Sequence, residues 1–291
     1  MLYRSYAKIN LYLDVLGKRE DGFHRIETIF QTVSLYDTLR IEGAESEVTL
    51  SIEGADLPED EGNLVMSAAG MLRERYDVSD GAKLTLEKSI PIAAGLAGGS
   101  GDAAAALVGL NSFWEIGASV EELQEIGGAL GSDIPYCLLG GTMAGTGRGE
   151  VLAGLDSLPE TWFLLAHPPV EVRTSAMYGH LDLVRSGAEV SEHGHSEGLD
   201  RAIRGCKSGD FEGILYNSME SAALGVYPVI EEYKERLREA GCEGVLMSGS
   251  GPTVFGLCRD EGHALSVQVP LGDIRTTVVH TVDLGVARFN A

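Results

Sequence analysis

The chain has 291 residues, 44% apolar and 23% charged, a balance that excludes disorder as its overall state. Its 44 acidic residues outweigh 22 basic ones, leaving a formal charge of -22. A field of that sign repels nucleic acid and anionic lipid, so neither is expected as a partner. Any anion site must therefore be made locally, from backbone amides and a few placed cations.

In chain order, residues 3–15 alternate strictly. Tyr3, Ser5, Ala7, Ile9, Leu11, Leu13 and Val15 take one face, and Arg4, Tyr6, Lys8, Asn10, Tyr12 and Asp14 the other. This is the pattern of a half-buried strand, and it points Lys8 and Asn10 the same way. A turn at Gly17–Gly22 leads into a second extended stretch near 23–35, with further strands near 38–42, 47–53 and 82–88. A helix is predicted over 63–76, where Leu64, Ala68, Met71 and Leu72 form an apolar stripe. Ser119 and Glu122 form a capping box that opens a helix running to about 129. Two more helix starts fall at Asp102 and near Asp133, each after a glycine-rich turn, and a strand pair around Gly145–Gly149 closes this half. A second unit begins with the strand Trp162–Ala166. Helices near 174–183, 197–206 and 226–240 follow, with a polar loop at 186–197 and strands at 244–247, 253–258 and 274–288. Helices and strands alternate irregularly, with hairpins, which favours an α+β fold of two lobes joined near 155–160.

Cys137, Cys206, Cys242 and Cys258 show no CxxC pair and no metal spacing, so they read as thiols of a reducing compartment. Arg4, Lys8 and Asp14 interrupt any signal-peptide core, and no run reaches the roughly 20 apolar residues of a membrane span. A cytoplasmic protein is expected.

The segment from Pro91 reads PIAAGLAGGSGDAAAAL. Gly95, Gly98, Gly99 and Gly101 allow positive φ and close backbone approach, and a helix N-terminus directly after them presents unpaired amides. That combination cradles phosphate without net positive charge. A loop that merely lets a small-residue helix pack closely fits the same letters. No GK[ST] follows, so Walker A is absent, whereas residues 99–104 match the GxGxxA of dinucleotide-binding oxidoreductases. That fingerprint wants a strand ending at its first glycine, and here a long loop comes first. Asp133, in GSDIP, suits either a helix N-cap, worth typically ~1 kcal/mol, or a catalytic carboxylate. Lys8 suits either a solvated face or a charge partner.

Three ordered motifs, AKINLYL, PxxxGLxGGSxDA and MSGSGPTVF, resemble the GHMP family of small-molecule kinases from Tyr6 to Phe255. The resemblance implies a two-lobed GHMP kinase fold. A ribosomal-protein-S5-like lobe over 1–157 would bind ATP and carry catalysis, and a ferredoxin-like lobe over 158–291 would bind substrate. It also implies Mg2+ and a monomer or weak homodimer. AKINLYLDVLGKREDGFHRIETIFQ and GSDIPYCLLGGTMAGTGRGE are similar to the branch whose acceptor carries a cytidine diphosphate group. The implied reaction is phosphorylation of the 2-hydroxyl of a methylerythritol bearing that group, in the non-mevalonate isoprenoid route. Homoserine and phosphomevalonate are alternative acceptors, and a ligand sensor without catalysis is the non-enzymatic alternative.

By the same resemblance Asp133 accepts the hydroxyl proton and Lys8 stands beside it. Pro91, Ala94, Gly95, Leu96, Ala97, Gly98, Gly99, Ser100 and Gly101 hold the nucleotide, together with Lys88, and Ser100 lies nearest the metal. Asn10, Phe23, His24, Thr174 and Tyr178 hold the acceptor, the aromatics and histidine against cytosine. Phe23 stands where tyrosine is common, and Gly101 where a second serine is usual. Without the resemblance, Phe23, His24, Tyr178 and Lys88 also fit an ordinary hairpin aromatic, a surface histidine, a core tyrosine and a solvated lysine. The turn Met247–Thr253 fits a tight hairpin or a buttress for the phosphate loop.

Overall fold

The computed structural model describes residues 1–172, 177–181 and 196–289. Strand β1 spans Leu2–Lys18 and pairs antiparallel with β2, His24–Ala44. The stretches expected at 23–35 and 38–42 are thus one strand, which takes up irregularity through register shifts opposite Tyr6/Lys8, Asn10/Tyr12 and Val15/Gly17. The alternation in β1 is real, since Tyr3, Ala7, Ile9 and Leu11 are buried on one face. Its second face is buried as well around Lys8, Asn10 and Tyr12, because distant segments cover it.

Strands β3 (Val48–Glu53) and β4 (Gly81–Glu87) pair parallel on either side of helix α1 (Leu64–Tyr76) in the chain. Helix α1 starts where Asn63 Oδ1 accepts from Val65 N. Helix α2 spans Gly98–Phe113, so it begins before Asp102, which lies inside its buried face. The cause is Ala97, whose left-handed backbone (φ 56°) ends the loop and starts the helix at once. Gly109 lets α2 lie against the sheet, for a Cβ there would sit 2.4 Å from Ile41 Cδ1. Helix α3 (Val120–Leu130) carries both halves of the predicted capping box, and α4 (Ile134–Leu139) follows Asp133.

Strands β5 (Thr142–Thr146) and β6 (Val151–Gly154) form a hairpin that extends β2. The second sheet is antiparallel, in the order β11 (Thr276–His280), β7 (Trp162–Ala166), β10 (Val254–Cys258) and β9 (Glu243–Met247). The strand expected over 274–288 is therefore two. After β11 the chain crosses back, and β12 (Val286–Phe289) pairs with β1, giving the first sheet the order β12-β1-β2-β4-β3. Strand β8 (Tyr216–Asn217) also pairs with β1, at Tyr12 and Leu13.

Helices at Glu197–Ser208 and Pro228–Glu239 lie close to expectation. Those at Glu220–Val226 and Glu261–Gln268 were not predicted, being too short to show a period. Residues 177–181 are helical, and the rest of the helix expected at 174–183 lies outside the described residues, as does most of the polar loop. One apolar core joins the two sheets: Ile9 and Leu11 of β1 pack with Phe163, Leu165 and Phe255. No helix among the described residues is long and apolar enough to cross a membrane.

Candidate active site

A cleft of about 1090 Å³ runs between the loop before α2, strands β1 and β2, and Val172, Tyr178 and Gly179. Its first wall is the loop from Pro91 to Ala97. Gly95 has φ 75°, and Ala93 and Ala97 share the left-handed region, so the chain folds tightly into α2. No side chain caps α2 and no acidic residue lies in its first turn. The amides at its N-terminus, with the positive end of a 16-residue helix, suit a polyphosphate. A Cβ on Gly99 would meet nothing nearer than 3.9 Å, so the approach is open.

The loop is held from the other half of the chain. Ser248 Oγ donates to Gly95 O at 3.0 Å, and Thr253 N donates to Ala94 O at 3.3 Å. Asn217 Nδ2 in turn donates to Met247 O and Gly249 O, both at 2.8 Å. The Met247–Thr253 turn joins the antiparallel strands β9 and β10 as a tight hairpin, and these contacts make it a buttress for the loop as well.

Lys8 is not solvated. Its Nζ donates to Asn10 Oδ1 at 2.7 Å and to Gly95 O at 3.0 Å, and lies 3.9 Å from Asp133 Oδ2. Asn10 Nδ2 donates to Thr28 Oγ1 at 2.8 Å, so its amide fixes the lysine while it also lines the cleft. Asp133 holds the N-cap position of α4, yet its side chain makes no capping hydrogen bond and its backbone is already helical. The capping reading therefore fails, and a carboxylate one-third exposed faces Lys8. Cys137 lies just behind, where burial pushes its thiol far up and the Asp133 charge adds to the effect, so it is no nucleophile.

Lys88 was expected either to face the nucleotide or to be solvated. It borders the cleft, but its side chain is only 5% exposed and is bonded to Asp37 and to Asp102, the latter at 2.7 Å. Asp37 also accepts from Ser89 N and, at 2.8 Å, from Ile90 N. The lysine precedes the loop and Asp102 follows it, so the triad staples the loop's two ends to β2. Burial raises the Asp102 carboxyl to about 7, against the pull of Lys88. For Lys88, burial alone would lower the value, but the two carboxylates outweigh it and the net shift is upward. Asp37 and Asp102 were missed. A lone charge in the small-residue run GGSGDAAAAL is the signal that the sequence offers, and there it reads as a helix start.

Two other expected nucleotide residues stand outside the cleft lining. Leu96 is buried in the joint core, its carbonyl accepting from Lys8 N at 3.1 Å. Gly101 lets α2 approach β1, where a Cβ would lie 3.3 Å from Ser5 Cβ. Pro91, Ala94, Gly95, Ala97, Gly98, Gly99 and Ser100 do line the cleft. The GxGxxA match lies within α2 rather than at a strand end, which removes the oxidoreductase reading. Among the described residues no cluster of three or more His, Cys, Asp or Glu could hold a metal.

At the far end the ring of Phe23 is 51% exposed after the Asp21–Gly22 turn. His24 stacks on Tyr178 with centroids 4.6 Å apart and planes at 21°. Burial raises the Tyr178 phenol, and the Asp133 charge adds to it. Thr174 lies outside the described residues. Arg148, whose guanidinium lies 4.6 Å over the Phe23 ring, was not anticipated.

The fold and this cleft define a small-molecule kinase, and the comparisons agree. The chain matches the GHMP kinases N terminal domain over residues 63–141 and the GHMP kinases C terminal domain over 202–273. It belongs to the GHMP kinase family. Among its relatives, the 4-diphosphocytidyl-2-C-methyl-D-erythritol kinase of Exiguobacterium sibiricum is 45% identical over 268 residues, 91% of each chain. A crystal structure of 4-(cytidine 5'-diphospho)-2C-methyl-D-erythritol kinase superposes with a TM-score of 0.82 at 32% identity, covering 97% of this chain and 99% of that one. Homoserine kinase from Cytophaga hutchinsonii shares the fold, with a TM-score of 0.75 at 18% identity, covering 99% and 96%.

Proposed function

We propose that this chain transfers the γ-phosphoryl group of ATP to the 2-hydroxyl of 4-diphosphocytidyl-2-C-methyl-D-erythritol. The observation that carries the reading is Lys8, whose ammonium touches both the phosphate loop at Gly95 and, at 3.9 Å, the Asp133 carboxylate. One side chain thus brings donor and acceptor chemistry together. A ligand sensor would have no use for such a pair.

In this mechanism the α2 amides hold the β- and γ-phosphates and the acceptor hydroxyl hydrogen-bonds Asp133. As the oxygen bonds to phosphorus, its proton passes to Asp133, the γ-phosphorus–oxygen bond to ADP breaks, and Lys8 offsets the developing charge. Mg2+ carried by the nucleotide would neutralise β- and γ-oxygens. Ser100, in the first turn of α2, is the protein group that would help to hold it. Phe23, His24 and Tyr178 hold the pyrimidine by stacking and by its polar edge, and Asn10 adds a contact to the polyol. Residues 1–157 serve as the ATP-binding lobe and 158–291 as the acceptor lobe, β12 returning to the first sheet. We place the protein in the cytoplasm, as a monomer or weak homodimer.

The test is ADP release, followed by a coupled assay, across acceptors. Turnover is expected with the cytidine-bearing compound and not with homoserine, phosphomevalonate or bare methylerythritol phosphate. Equal turnover with homoserine would overturn the assignment.

A further inference from the structure

We infer that Arg148 is a specificity-determining positioning residue, whose guanidinium braces the Phe23 ring as the wall on which the acceptor's pyrimidine stacks. This deepens the proposed function and rests on its placing of the cytidine at this end of the cleft.

Phe23 needs a brace. Its backbone is fixed, with Phe23 N donating to Asp21 Oδ1 at 3.1 Å and Arg19 N donating to Phe23 O at 2.7 Å. Its ring, however, is 51% exposed, so burial does little to select its rotamer. An unbraced ring must be ordered by the ligand, at a cost in affinity. The brace comes from the turn between β5 and β6, where the Arg148 guanidinium lies 4.6 Å from the ring centroid, a cation–π distance. Both side chains line the cleft.

Arg148 is itself positioned. Glu150 Oε2 accepts from Arg148 N at 2.5 Å, and Oε1 lies 3.6 Å from its Nε. Gly147 and Gly149, with φ 73° and 105°, shape the turn. Ile26 N donates to Gly147 O at 2.8 Å, tying this hairpin to the strand that follows Phe23. Glu150, Arg148 and Phe23 thus form a chain of contacts leading to the place of the pyrimidine. Because Arg148 acts on the wall and not on the reacting atoms, it adds equally to ground-state and transition-state binding, and so to KM rather than kcat.

Steady-state kinetics of the full chain with ATP and the cytidine-bearing acceptor test this, using Arg148→Met, Arg148→Lys, Phe23→Ala and the double variant. Arg148→Met, which keeps the aliphatic stem, should raise the acceptor KM about three- to tenfold, the range of a partly desolvated cation–π contact. The KM for ATP, the melting temperature and kcat should stay near wild type. Arg148→Lys should recover part of the loss. In the Phe23→Ala background the arginine change should have no further effect. An unchanged acceptor KM in Arg148→Met, with Phe23→Ala impaired, overturns the role of Arg148 and leaves the cytidine reading standing. The same overturning follows if the two changes add in full, since Arg148 would then act without the ring. If Phe23→Ala binds the acceptor normally, the placing of the cytidine falls and this inference with it.

Discussion

At the end of the cleft beside the 91–97 loop, Lys88 and Asp102 are about 5% exposed and bonded to each other, whereas at the end assigned to the acceptor Phe23 is 51% exposed and has the Arg148 guanidinium over its ring. The first end is fixed by contacts from far along the chain: Ser248 and Thr253 on the loop, Asp37 on Lys88. The second is assembled from a turn at 19–23, a hairpin tip at 147–150 and residues near 178. Phosphate is common to all donors of this kind, and a backbone cradle serves it only if rigid. The acceptor varies between relatives, and surface turns change without disturbing the core. A fold can therefore keep its chemistry while its specificity is rewritten.

Replacing Asp133 with Asn challenges that division most strongly. Turnover should fall by about 10²–10⁴-fold, the usual contribution of a positioned base, while the KM for ATP stays unchanged. Near-normal kcat would remove Asp133 from the chemistry.

Next in size is Lys88→Met. It leaves two buried carboxyl groups without their cation, and chemical denaturation should show a loss of about 3–5 kcal/mol, as for other broken buried ion networks. Equal stability would mean that the triad is no staple.

Gly95→Ala sharpens the same contrast. The new Cβ would stand 2.3 Å from Ser248 O at φ 75°, so about 1–3 kcal/mol of backbone strain and a raised KM for ATP are expected. An equivalent change at Gly22, whose Cβ would meet nothing within 4 Å, should leave ATP binding alone.

The smallest effect is a pH dependence of the melting temperature. Burial lowers His167 to about 4, with Arg275 adding to the shift, so its contribution is present above pH 6.5 and lost as the pH falls toward 4. Asp102 runs the other way: its contribution is present below pH 3.8 and lost as the pH rises through about 7. The two oppose each other between pH 4 and 6.5. His167→Gln should leave a melting temperature that only declines over that window, and Asp102→Asn one that only rises. No change in slope from either variant would refute both assignments.

Sequence-local features were legible. The period of β1, the capping box at Ser119 and the strand Trp162–Ala166 each depend on neighbours in the chain, and each stands as read. So did the pairing of Lys8 with Asp133, though only through the motif resemblance, since alternation alone left Lys8 as solvated as any other even-numbered residue. What stayed hidden is what distant segments supply. The cover over Lys8 comes from Gly95 and the Ser248 turn, the partners of Lys88 lie at 37 and 102, and β12 finds β1 across almost the whole chain. Arg148 was hidden for the same reason, since its meaning depends on Phe23 in another hairpin.

The proposed reaction requires donor and acceptor to occupy opposite ends of one cleft at the same time. Calorimetric titration of CDP into the full chain, with and without a saturating non-hydrolysable ATP analogue, measures this directly. CDP should bind with nearly the same affinity in both cases, and Phe23→Ala should weaken CDP while leaving the analogue's affinity intact. Mutual exclusion of the two ligands, or a loss of analogue binding in Phe23→Ala, would contradict the two-ended cleft.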